Sequence, residues 1–197
     1  MGTVESEVLR YARQYAGETF DVVPPECRLA VRQLVVRQLE FDLGAERRYG
    51  RPRLASALFD EFAILNLDWN LIAVTEIGEC HLQGFIAAKA VGSRVQRVEP
   101  RRDCCPVCKA LEGQRFTVVS EHSDEKDWFG EVWRGKSRVR MGASDNAPEG
   151  NWPAAGLQHA GCRGRWVSAP GGPLPPGVSK DFADYLDAYL TELLDKV

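Results

Sequence analysis

Residues 101–114 read "RRDCCPVCKALEGQ", three cysteines in five positions, and what those cysteines do decides how the second half of the chain folds. Cys105-Pro106-Val107-Cys108 is a C-x2-C knuckle, and 51 positions after Cys108 the run His159-Ala160-Gly161-Cys162 supplies an H-x2-C pair. Two close pairs of soft or borderline donors make the Cys3His set of a tetrahedral zinc site, and four protein ligands leave no position for water, which makes the zinc structural, one per chain. The pairs are too far apart for a short DNA-reading finger. The expected device is a clasp closing a long β excursion, with Cys104 left as the spare.

Other readings of the same residues stay open. Free cysteines are often packed as small hydrophobes, and that is the better reading for Cys27 and Cys80, which fall inside helical patterns. "CPVC" also looks like a glutaredoxin-type thiol site, but that chemistry wants a substantial helix after the first cysteine, and Gly113 cuts "KALEGQ" short. A zinc deaminase needs H-x-E ahead of its cysteines, whereas His81 is followed by Leu82 and Gln83.

Working outward from the knuckle, the hydrophobic period changes at Gly92. "SRVQRVEP", "QRFTVVS", "EVWRGKSRVRM" and "CRGRWVSA" alternate as strands of a small antiparallel sheet, with a Gly/Pro/Asn-rich loop over 141–158. Before Gly92 the chain reads as helices. Val4, Val8, Tyr11, Tyr15 and Ala16 recur at helical spacing; Leu29, Leu34, Val35, Leu39 and Leu43 form one stripe behind Pro24 and Pro25; "PRLASALFDEFAILN" is a third helix. Asp68 stands where an N-cap belongs, ahead of a fourth helix running toward Gly92. "PGGPLPPG" is a stiff linker. "VSKDFADYLDAYLTELLDKV" is an amphipathic helix with Phe182, Tyr185, Leu186, Tyr189 and Leu190 on one face and an acidic opposite side, suited either to fold back on the body or to dock into a partner's groove.

The fold class expected is α+β: a helical region over 1–92, a β-rich, metal-knuckled subdomain over 93–169, a linker over 170–178 and an acidic tail helix over 179–197. With 197 residues and 44 % hydrophobic residues, the chain can bury a sizeable core, and its net charge of -3 argues against coating nucleic acid through overall charge. The basic residues Arg94, Arg97, Arg101, Arg102, Arg134, Lys136, Arg138 and Arg140 form either a wet sheet face or a face that touches DNA phosphates. Trp128, Trp133, Trp152 and Trp166 read as core and edge packing. No apolar run is long enough to span a membrane, no secretory leader is seen, and no motif points to an enzyme or a small-molecule substrate. A cytoplasmic setting, with thiols or metal ligands rather than disulfides, is the expectation.

The order of these features resembles the phage Mu F-like minor head proteins, the phage head morphogenesis family. The stretches that carry the resemblance are 68–92, 95–119 and 151–167. The family pattern is a helix with an R-T-E element and a downstream glycine, then D-x-C-x-x-C with L-x-G-x-x-F, then H-x-x-C-R. Thr75, Glu76, Gly84, Asp103, Cys105, Cys108, Leu111, Gly113, Phe116, His159, Cys162 and Arg163 match it in order, while Val74 replaces the usual arginine. The resemblance implies a non-enzymatic virion component of the phage head, assembled in the bacterial host cytoplasm at or near the portal. Its partners would be the portal or major capsid protein, with packaged DNA reached through Arg101, Arg102, Arg138 and Arg140. The alternatives are a zinc-stabilised DNA-binding packaging accessory and, behind it, a thiol oxidoreductase.

Overall fold

The computed structural model describes residues 2–44, 50–100, 103–139 and 147–169. The linker 170–178, the tail helix 179–197, and Arg101, Arg102 and Arg140 lie outside the described residues.

Four helices make the first half: α1 (Val4–Tyr15), α2 (Pro25–Gly44), α3 (Gly50–Phe62), a 3-10 turn over Ala63–Leu65, and α4 (Trp69–Ala87). Their starts follow from local chemistry. The Thr3 hydroxyl accepts the Ser6 N–H, and the Asp68 carboxylate accepts the Leu71 N–H at 2.9 Å, so each satisfies a donor that the first helical turn leaves over. On α2 the buried line is Val31, Val35 and Leu39; Leu29, expected inside, is 61 % exposed, and Leu34 and Leu43 are only half-buried. Apolar and charged residues are mixed all round that helix, so its periodicity does not choose between neighbouring faces. Packing against α1 and α3 did.

α4 is enclosed by the other elements. Ile72, Ala73, Ile77 and Cys80 join the core shared with α1, α2 and α3, while Leu82 and Ile86 join a second core with the sheet. One helix thus carries both cores. Gly84 lets α1 come this close, because a Cβ there would sit 2.6 Å from the Val8 backbone nitrogen.

The sheet has four strands, β1 (Arg94–Val98), β2 (Arg115–Val118), β3 (Glu131–Val132) and β4 (Arg165–Ser168), in the order β3-β2-β1-β4. β1 pairs antiparallel with β2 and β4, but β2 and β3 run parallel, so the sheet is mixed rather than antiparallel. A parallel neighbour needs about a dozen residues of return path, and the chain over 119–130 supplies it. Strand β3 is also much shorter than the alternation of "EVWRGKSRVRM" suggests. After Val132 the chain turns at Gly135 (φ +90°), Lys136 sinks inward, and the Ser137 hydroxyl donates to Glu79 at 2.8 Å.

Glu79 binds the loops to α4. Its buried carboxylate accepts from Ser137, from Gln83 Nε2 at 2.9 Å and from the Leu157 N–H at 2.7 Å, drawing residues 137 and 157 onto one helix. No helix among the described residues is long and apolar enough to cross a membrane.

Candidate metal centre

Each knuckle is built by a short turn. Cys105 is the N-cap of α5 (Pro106–Leu111), Pro106 opens the helix where a missing N–H is harmless, and the Cys108 N–H donates to Cys105 Sγ at 3.4 Å. The second pair lies just before β4, in a turn where the Cys162 N–H donates to the His159 carbonyl and Gly161 takes φ +70°. The Gly161 N–H donates to the Thr75 hydroxyl at 3.0 Å, so α4 fixes the height of this turn.

The fold brings the two pairs together. Cys108 Sγ lies 3.5 Å from His159 Nε2 and 3.6 Å from Cys162 Sγ. Cys105, Cys108 and His159 have ligand atoms within 4.8 Å of one another, and so do Glu99, Cys108 and Cys162; Cys108 belongs to both groups. The predicted residues Cys105, Cys108, His159 and Cys162 thus gather round Cys108, in two overlapping groups rather than one, and could bind a metal ion. An Nδ1–H donating to the Ala160 carbonyl at 2.9 Å leaves Nε2 with a lone pair facing Cys108, the tautomer a metal ligand requires. All of these donors border one open cavity of about 340 Å³.

Burial differs across the cluster. His159 is exposed and Cys105 half-buried, whereas Cys108, Cys162 and Glu99 are buried. Burial, then the adjacent Cys162, holds the Cys108 thiol well above the ordinary thiol value, so at neutral pH its proton leaves when a cation displaces it. Cys104 packs at the edge of the second core and belongs to neither donor group.

Two buried residues beside the knuckles escaped the sequence reading. Arg97 Nη2 donates to Cys162 Sγ at 3.3 Å while its Nε donates to Glu99 at 3.0 Å. The Arg97 side chain is fully enclosed, 5.3 Å from the Trp166 ring centroid. Gly164 makes room for this ion pair, since a Cβ there would collide with both Glu99 and Arg97. The available signal was the period of two: Val95, Arg97 and Glu99 fall on one strand face, and an arginine and a glutamate two apart on the face of a buried valine neutralise each other.

Of the basic residues expected over β1 and the later loop, Arg94 is exposed, whereas the other described ones are drawn into the fold or paired. Arg97 is internal. Lys136 is 2 % exposed and lies among the rings of Trp128, Trp133 and Trp152. Arg138 stacks 4.0 Å from the Trp152 ring centroid and donates to the carbonyls of Trp152 and Gly150. Arg134 reaches Gln14 and Glu121. The tryptophans thus pack around cations that the fold has taken in, the more favourable side of a ring for a positive charge.

Glu76 has Val74, an uncharged residue, two positions before it. Fully buried, it accepts from the Thr19 N–H at 3.3 Å, and burial pushes its carboxyl up to about 7 against the opposing hydrogen bonds of Thr19 and Gly17. Compared with protein-family models, with curated proteins and with solved structures, the chain matches none of them.

Proposed function

We propose that Cys105, Cys108, His159 and Cys162 hold one structural zinc ion. We also propose that the chain is a minor head protein of a tailed phage, similar to the Mu F-like proteins and acting without catalysis in prohead assembly near the portal. Zinc with sulfur ligands at about 2.3 Å and nitrogen at about 2.0 Å sets tetrahedral S···S and S···N separations of about 3.8 and 3.5 Å, close to the 3.6 and 3.5 Å seen around Cys108. In such a site the ion supplies folding free energy by tying both turns to one point.

The observation that carries the reading is the convergence of the motif. Thr75 holds the turn of His159 and Cys162, Gly84 seats α1 on the same helix, and Leu111 and Phe116 pack with Trp166 behind the ligands. Residues scattered from 75 to 163 form one connected unit, so their order in sequence has a common physical reason. Four protein ligands would fill a tetrahedral zinc without a place for water, which supports reading the ion as structural, and Glu79 supports it further by accepting from Ser137 and Leu157.

Direct contact with DNA is the weaker reading. Of the four arginines assigned to it, Arg138 is engaged within the fold, and Arg101, Arg102 and Arg140 lie outside the described residues.

The test is to look for portal and major capsid genes beside this one, whose absence would overturn the assignment, and to co-express their products with the chain, followed by sedimentation of the proheads. The chain is expected to travel with portal-containing proheads and to be lost from them when Cys108→Ser removes the metal. A chain that stays at the top of the gradient while proheads form would overturn the assignment.

A further inference from the structure

We infer that Glu99 is a fifth donor of the metal centre, a reserve ligand that takes the ion when His159 lets go. The inference rests on the reading that the cluster binds a metal.

The donors fall into two overlapping groups with Cys108 in common. The outer group, Cys105, Cys108 and His159, includes an exposed histidine; the inner group, Glu99, Cys108 and Cys162, is buried throughout. An ion at Cys108 therefore has a choice of neighbours. Moving toward Glu99 exchanges a nitrogen for a carboxylate oxygen and breaks no contact to Cys108 or Cys162. The exchange is a ligand substitution: the metal–Nε2 bond breaks and a metal–oxygen bond forms, and Cys105 Sγ, which is outside the inner group, is released with it and takes a proton from water; no electron moves.

Three features equip Glu99 for this. It follows β1 directly and is buried, whereas His159 sits in an exposed turn and bonds to the carbonyl of its own neighbour. Arg97 orients the carboxylate with a single N–H, and a carboxylate keeps acceptor sites free after one such bond. Charge also favours it: Glu99 with Cys108 and Cys162 as thiolates gives three negative charges, Arg97 cancels one, and a divalent cation cancels the remaining two.

The test is a double-mutant cycle on the full chain with Co2+ as the probe, reading affinity and the visible thiolate-to-cobalt and ligand-field bands. His159→Ala is exposed and leaves the core intact, and it is expected to keep Co2+ with a shifted ligand-field band. Glu99→Gln alone should lower affinity about tenfold or less, the size of an outer-shell effect. In the His159→Ala background the same change should cost at least about tenfold more, because the replacement ligand is then gone. Additive losses, with one spectrum for His159→Ala and the double variant, would overturn the reserve role while leaving the metal site standing. Absence of Co2+ binding by the unaltered chain would overturn the metal reading itself. Should Glu99→Gln disturb folding by circular dichroism, Glu99→Asp, which keeps the charge for Arg97 but shortens the reach, is expected to give the same coupling.

Discussion

Gly161 donates its backbone N–H to the hydroxyl of Thr75 at 3.0 Å, across 86 positions of sequence. That bond sets where the second pair of metal donors stands, because Gly161 lies between His159 and Cys162. Thr75→Val keeps the shape and removes the acceptor. The orphaned N–H is expected to cost about 1–2 kcal/mol in denaturant unfolding, and the loosened turn should weaken metal affinity about 10–100-fold in chelator competition. Unchanged affinity would mean that the turn holds its place without α4.

Removing the metal should loosen the sheet half before the helical half. Metal analysis is expected to return about one zinc per chain. A ligand present at about a thousand times its dissociation constant contributes about 4 kcal/mol, so chelation should lower Tm by about 10 °C for a chain of this size. Cys108→Ser should do at least as much damage as Cys105→Ser, since only Cys108 belongs to both donor groups. Equal Tm with and without chelator would remove the clasp.

Glu76 makes stability depend on pH in an uncommon direction for a carboxylate. Its folded value is pushed up to about 7 from an ordinary 4.5, mainly by burial, so the folded state holds a proton that the unfolded chain has lost. Its contribution is fully present below about pH 4.5 and is lost as pH rises through about 7, a fall on the order of 3 kcal/mol. Glu76→Gln mimics the protonated form and should flatten urea midpoints measured between pH 5 and 8. A slope that survives the substitution would assign it to another group.

Much of the fold was legible because its signals are local. The Asp68 cap, the proline break before α2, the change of period after Gly92 and the two ligand pairs each depend on a few adjacent residues. What was not legible depends on partners far away in sequence. The rotation of α2 toward Val31 is decided by its neighbours, and the parallel β3 by where the 119–130 excursion returns. Lys136 read as a surface charge because nothing local shows that Trp128, Trp133 and Trp152 converge on it, whereas the Arg97–Glu99 pair, two positions apart on a buried strand face, carried a local signal that the charge pattern masked. Both donor pairs were visible while Glu99 was not, for the same reason: a knuckle is a spacing, and a single carboxylate near it is only a position in space.

Lys136 supplies the opposite slope to Glu76. Its ammonium donates to the carbonyls of Trp128 at 2.6 Å and Glu131 at 2.7 Å and lies 4.4 Å from the Trp133 ring centroid. Burial nevertheless pulls it down to about 7 from 10.5, with the carboxylates of Asp127 and Glu131 resisting. Between those values the unfolded chain binds the extra proton, so stability rises with pH from about 7 toward 10.5. With Glu76 falling up to about 7 and Lys136 rising beyond it, the two together place a shallow minimum near neutral pH. Lys136→Met retains the buried stem and deletes the charge. At pH 6 relief of the buried charge opposes the loss of the two carbonyl bonds and the ring contacts, about 1–3 kcal/mol, so stability should change little there, and the alkaline rise should vanish. Urea midpoints of both proteins across pH 6 to 10 measure this, and parallel profiles would show that the buried ammonium does not titrate in that window.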